Sequence, residues 1–215
     1  STFRRVLGYK RMPWGVIKKT YTVPEKKFND VDVSGQAVDS TGNSFLMNGL
    51  LLGTSAETRV GQKTIIKSWE LRLTAVGPQG AATPTVTASF LRVMVIWDVQ
   101  PNGVLLGTSD VLQSPAENVR SPIYMGNSHR FKILYDEVMP MGVQLSTGQV
   151  LPPNFLQWIK KYMKCNLETR YADSNNGDIT DIITGSLVLL LISNAPTNAD
   201  RPTVDAYTRI RYYDN

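Results

Sequence analysis

TRVGQKTIIKSWELRLTAV, residues 58–76, decides how this chain folds. It opens with a basic turn, Arg59-Val60-Gly61-Gln62-Lys63, and then alternates, with Ile65, Trp69, Leu71 and Leu73 on one face and Ser68, Glu70, Arg72 and Thr74 on the other. A period of two sustained over that length marks a strand with one face in a core and the other in water. Lys67 interrupts the apolar face, so either the strand bulges there or the ammonium runs past the sheet edge.

On either side of it, seven more stretches read as strands: 28–36, 44–52, 85–99, 129–138, 154–172, 186–193 and 203–213. Turns rich in Gly, Pro, Asn and Asp separate them, and the only helix predicted is a short one at 108–113. The class is therefore all-β. Eight strands without helical crossovers predict an antiparallel single jelly roll of two four-stranded sheets, ordered 1-8-3-6 and 2-7-4-5. The unbroken apolar runs LVLLLI (187–192) and VMVIW (93–97) then fall on strands seven and four, in the middle of the second sheet. The 154–172 strand is long enough to bend or bulge midway.

At 215 residues and 42% hydrophobic content the chain supplies one core, which gives one jelly-roll domain, 28–215, behind an arm, 1–27. A single Cys and a single His leave no disulfide framework and little for a metal site or a nucleophile–base pair. Cys165 alternates with core residues and reads as a small buried hydrophobe, and His129 reads as a surface residue. Asp173-Ser174-Asn175-Asn176-Gly177-Asp178 places Gly where a calcium loop needs its fifth-position ligand and lacks the closing Glu, so it reads as a polar turn. Neither a phosphate-binding glycine loop nor a catalytic dyad is present. No catalytic residue, metal or cofactor is expected, and no apolar run reaches the roughly 20 residues of a membrane-spanning helix.

Charge is more informative than chemistry. Residues 1–27 carry eight basic side chains against one acid, whereas the other 188 carry 15 against 17. The net +5 thus sits wholly in the arm, which suits a polyanionic partner. Arg4, Arg5, Lys10, Arg11, Lys18 and Lys19 are interleaved there with Trp14, Phe3, Tyr9 and Tyr21, a mixture in which cations track phosphates while rings stack on bases. A second set is predicted on the 1-8-3-6 sheet. Trp158, Lys160, Tyr162, Lys164 and Arg170 share one face of strand six, Tyr207, Arg209 and Arg211 one face of strand eight, and Arg72 points away from the core in strand three. Such a face fits either a single strand of nucleic acid or a subunit interface, where Arg, Tyr and Trp are also enriched.

Three segments resemble a known family. Gly53-Thr54-Ser55 with Arg59-Val60-Gly61-Gln62-Lys63 and Ile66-Lys67-Ser68, then Leu91-Arg92-Val93 to Trp97-Asp98 with Gln100-Pro101-Asn102-Gly103, then Arg130-Phe131-Lys132-Ile133-Leu134-Tyr135-Asp136, are similar in order and spacing to the capsid proteins of circovirus-like viruses with circular single-stranded DNA. The design also resembles the satellite tobacco necrosis virus coat. The resemblance implies a virion component assembled in the host nucleus as a T=1 shell of about sixty copies, with the arm and the 1-8-3-6 sheet facing the packaged nucleic acid. That family usually begins with a denser Arg-rich run. About sixty copies at +5 supply roughly 300 positive charges against roughly 645 phosphates in this chain's own coding sequence, so a more basic segment is expected upstream of Ser1. The alternatives are the coat of an RNA satellite virus and a non-viral jelly-roll binding module, carbohydrate-binding or trimeric and signalling.

Overall fold

The computed structural model describes residues 25–79, 89–114, 119–144, 152–195 and 201–214. Nine strands follow in order: β1 Lys26–Ala37, β2 Asn43–Leu46, β3 Lys63–Val76, β4 Ser89–Asp98, β5 Phe131–Met141, β6 Leu156–Tyr171, β7 Ile182–Thr184, β8 Ser186–Ser193 and β9 Thr203–Asp214. All pairings are antiparallel, in two sheets ordered β1-β9-β3-β6-β7 and β2-β8-β4-β5. This is the predicted jelly-roll order with one addition. The three-residue β7 joins β6 at Arg170 and Tyr171, making that sheet five-stranded. Gly185 separates β7 from β8 with φ of +77°, and a Cβ there would lie 2.5 Å from both the Trp97 ring and the Glu168 carbonyl oxygen. Only Gly lets the chain pass from one sheet to the other at this point.

The 58–76 stretch becomes β3, hydrogen-bonded to β9 on one side and β6 on the other. The strand bulges at Lys67, where two residues of β3 oppose one of β9, and β6 takes up an extra residue in turn. The bulge corrects the facing of one residue. Ile66, not Ile65, enters the core ahead of it, while Trp69, Leu71 and Leu73 enter behind it as expected. Lys67 leaves the core altogether, donating to Asn166 and lying 5.3 Å from the Tyr213 ring centroid.

Between the sheets, Trp69, Leu71, Leu73, Val93, Val95, Leu187, Leu189, Leu191 and Ile210 form the main core. A second core lies outside the four-stranded sheet. Met94, Ile96, Val188, Leu190 and Ile192 pack there against Leu106, Val111, Leu112 and Val119 of the segment after β4, which contains the one-turn helix α1, Thr108–Val111. The runs on β4 and β8 are unbroken because both faces are covered, not merely because these strands are central. The 173–178 turn is likewise organised from outside itself. Asp181 accepts hydrogen bonds from Ser174 Oγ (2.5 Å), Asn176 N (2.7 Å) and Gly177 N (2.6 Å), so its carboxylate is occupied by the loop's own donors.

The segments that carried the resemblance are joined to one another or to neighbouring loops. Arg59, wholly buried, donates to the carbonyls of Leu50, Gly61, Ala172 and Ser174 and stacks on Tyr171. Asp98 receives both arms of Arg130 at 2.9 and 2.8 Å. Arg92 grips Asp136 at 2.8 and 2.6 Å and also donates to the Ser121 carbonyl (2.6 Å), which ties the covering segment to the sheet. These cations shape loops rather than offer themselves to solvent.

Candidate nucleic-acid interface

The outward face of the five-stranded sheet gathers the nine predicted sheet residues. Arg72 stands on β3, Trp158, Lys160, Tyr162, Lys164 and Arg170 on β6, and Tyr207, Arg209 and Arg211 on β9, alternating with the core positions. Register then sets neighbours across strands: Arg72 pairs with Lys160 and Tyr207, Glu70 with Tyr162 and Arg209, and Ser68 with Lys164 and Arg211. The arm candidates Arg4, Arg5, Lys10, Arg11, Trp14, Lys18 and Lys19 lie outside the described residues. Lys26 and Lys27, by contrast, belong to β1. Lys27 is buried, donating to the Thr58 carbonyl (3.0 Å) and pairing with Asp214 (3.2 Å).

Carboxylates interleave with the cations. Asp30 on β1 takes the guanidinium of Arg209 in two bonds of 2.6 Å and also accepts the Tyr207 hydroxyl. Glu70 takes Arg72 (2.9 Å) and, on its other oxygen, Arg211 (3.4 Å). Glu168 takes Lys63 (2.8 Å) and Arg170 (2.9 Å). The Arg209 guanidinium holds the Asp30 carboxyl below its ordinary range, and Arg72 does the same for Glu70. Asp30 in return pushes the Tyr207 phenol up. A shallow depression lined by Glu70, Arg72, Tyr207 and Arg209 marks the centre of this network.

β6 differs from its neighbours. Trp158 is 67% exposed and Tyr162 49%, with Lys160 and Lys164 exposed between and beyond them. Neither lysine meets a carboxylate among the described residues. The result is a ring–cation–ring–cation row at strand spacing, rising about 3.3 Å per residue. The chain's single Cys and single His both lie off this row. Cys165 lies on the inner side, donates weakly to the Ile66 carbonyl and is raised to about 11 by burial, while His129 is exposed.

A jelly roll with a cationic, aromatic sheet face is shared by proteins of several functions, and relatives decide between them. A sequence model of the geminivirus coat protein/nuclear export factor BR1 family matches residues 10–215. The chain belongs to that family. Among curated relatives, the capsid protein of Miscanthus streak virus (isolate 91) is 24% identical over 190 residues, spanning 83% of this chain and 74% of the relative. The capsid protein of Tomato pseudo-curly top virus is 29% identical over 164 residues, 70% of this chain and 66% of that one. Solved structures similar to it include Desmodium yellow mottle tymovirus (TM-score 0.35, 9% identity, all of this chain and 94% of that one) and the empty head of turnip yellow mosaic virus (TM-score 0.33, 12% identity, all of this chain and 89% of that one). The jelly roll rests on the strand order and register themselves, not on likenesses of that size.

Membership of the geminivirus coat family makes this a viral capsid protein with a structural role. The capsid expectation from the sequence motifs holds at that level, and the family matched is the geminivirus one rather than the circovirus-like or satellite-virus one. A non-viral binding module is set aside. Sequence reasoning missed the carboxylates, although a signal existed. Asp30 and Glu70 each occupy the outward parity of strands that the predicted 1-8-3 order makes neighbours of Arg209 and Arg211.

Proposed function

We propose that this geminivirus-family coat protein assembles into a closed T=1 icosahedral shell of about sixty copies that packages single-stranded DNA, with circular DNA as the cargo and the host nucleus as the place of assembly. Binding is electrostatic and stacking in character and does not depend on sequence. The observation that supports this reading is the outward face of the five-stranded sheet, where Trp158, Lys160, Tyr162 and Lys164 form an exposed row. Rings of this kind accept any base, and lysines any phosphate.

Electron microscopy of the purified protein tests the shell: uniform particles of T=1 size are expected, and monomers or trimers at every salt concentration would overturn the assembly. Nucleic acid extracted from the particles is expected to be destroyed by DNase and to survive RNase. The reverse pattern would replace DNA with RNA as the cargo.

A further inference from the structure

The cations of the sheet face fall into two populations. On β6, Lys160 and Lys164 are exposed, without a carboxylate partner among the described residues, and flanked by the exposed rings of Trp158 and Tyr162. β7 pairs with β6 only at Arg170 and Tyr171, so the far backbone edge of 156–169 meets no described strand. On β3 and β9, by contrast, Arg72, Arg209 and Arg211 sit over two carboxylates. The arginine side chains are 57%, 36% and 28% exposed, whereas Glu70 and Asp30 beneath them are 13% and 22% exposed. Three guanidinium charges are thereby reduced to a net of one. The neutralisation is incomplete in geometry as well, because Nη1 of Arg211 is buried without a hydrogen-bond partner.

We propose that a single strand of nucleic acid engages the exposed Trp158–Lys160–Tyr162–Lys164 row of β6, while Asp30 and Glu70 hold Arg72, Arg209 and Arg211, the last also 5.9 Å over the Tyr162 ring, in reserve as a carboxylate latch that limits affinity. The proposal rests on the nucleic-acid reading above and adds a regulation to it. On β6 a phosphate needs only to displace counterions and water, and the open strand edge supplies backbone donors besides. Over β3 and β9 it must first compete with carboxylates that already occupy the guanidinium edges at 2.6 to 2.9 Å. Charge-assisted bidentate pairs are the stronger kind of hydrogen bond, so the competition is unequal for any single phosphate. A coat protein gains from this arrangement, since a face with all its arginines free would hold nucleic acid before subunits are in register.

Binding of a fluorescein-labelled oligothymidylate by the full chain, followed by anisotropy across a salt series, tests the latch. Asp30→Asn with Glu70→Gln is expected to tighten binding roughly tenfold and to steepen the logarithmic salt dependence by about 2, as three released cations should. Lys160→Ala with Lys164→Ala is expected to weaken binding and make that dependence shallower by about 1. Glu70→Gln alone, which leaves the Arg209–Asp30 pair in place, serves if the double variant does not fold. Its release of Arg72 and Arg211 should give an intermediate gain. Unchanged or weaker binding by the carboxylate variants, with the lysine variant still impaired, would overturn the latch and leave the nucleic-acid reading standing. Loss-free binding by the lysine variant would overturn the β6 track. Absence of salt-dependent binding by the unaltered protein would overturn both the track and the reading beneath it.

Discussion

The two sheets share an architecture and a core, yet their outer faces have opposite fates. The β2-β8-β4-β5 sheet is roofed by the segment after β4, so Leu190 and Ile192 on its outer face are as buried as Leu189 and Leu191 on its inner one. Among the described residues no such roof covers the β1-β9-β3-β6-β7 sheet, and its outer face is cations, carboxylates and rings. A sheet closed on both sides is free to be apolar throughout and has little left to bind with. A sheet closed on one side must satisfy water on the other, and the residues that do so are the ones available to a charged partner.

The largest effect should come from testing that closure. Leu190→Ala is expected to cost about as much stability as Leu189→Ala, roughly 2–5 kcal/mol each by urea unfolding. A cost below about 1 kcal/mol at Leu190 alone would mean that the roof is loosely packed and the two sheets less different than they look. Next comes the tie that holds the roof. Arg92→Met strips the donor from the Ser121 carbonyl and the Asp136 carboxylate and should cost about 2 kcal/mol, part of the loss being recovered by water at Asp136. Hydrogen exchange should quicken at 105–123 before it quickens in the strands.

On the open face the expectation reverses. Trp158→Ala should change stability by less than about 0.5 kcal/mol, since the ring is 67% exposed, yet weaken oligothymidylate binding by about 1–3 kcal/mol. A stability loss without a binding loss would make Trp158 part of the fold instead of the face. The smallest effect concerns acid. Burial raises the Asp181 carboxyl, but hydrogen bonds from Ser174, Gly177 and Asn176 outweigh it and leave the group below its ordinary 3.8. A carboxyl lowered in the folded state contributes stability that is present above its unfolded value and fades as pH falls through the folded one. Asp181→Asn should therefore flatten the acid limb of a stability–pH curve below about pH 4, leaving the limb from Asp30 and Glu70 in place.

Most of the fold was legible because strand periodicity is local. The alternation at Leu71-Arg72-Leu73 needs only neighbouring residues to be read, and the lone awkward residue, Lys67, marked the bulge that the register places there. The short β7 was not legible, since three residues carry no period and their pairing with β6 depends on the turn at Gly185. The parity of the site residues was legible for the same reason as the fold. Their electrostatics were legible only in part: Arg72 and Glu70 are two residues apart on one strand, whereas Asp30 and Arg209 are 179 residues apart and become partners only through the β1–β9 register.

By itself, then, the sequence determined the all-β class, the eight main strands and, away from the Lys67 bulge, the alternation of the five-stranded sheet, because hydrophobic patterning is enforced locally by burial. Tertiary structure alone decided which of those cations are free. Charge is neutralised at contact distance, and contact distance between residues far apart in the chain is set by how the strands align. That alignment leaves Lys160 and Lys164 of β6 exposed, brings Asp30 to Arg209 and adds Arg211 to the Glu70 that Arg72 already meets within β3.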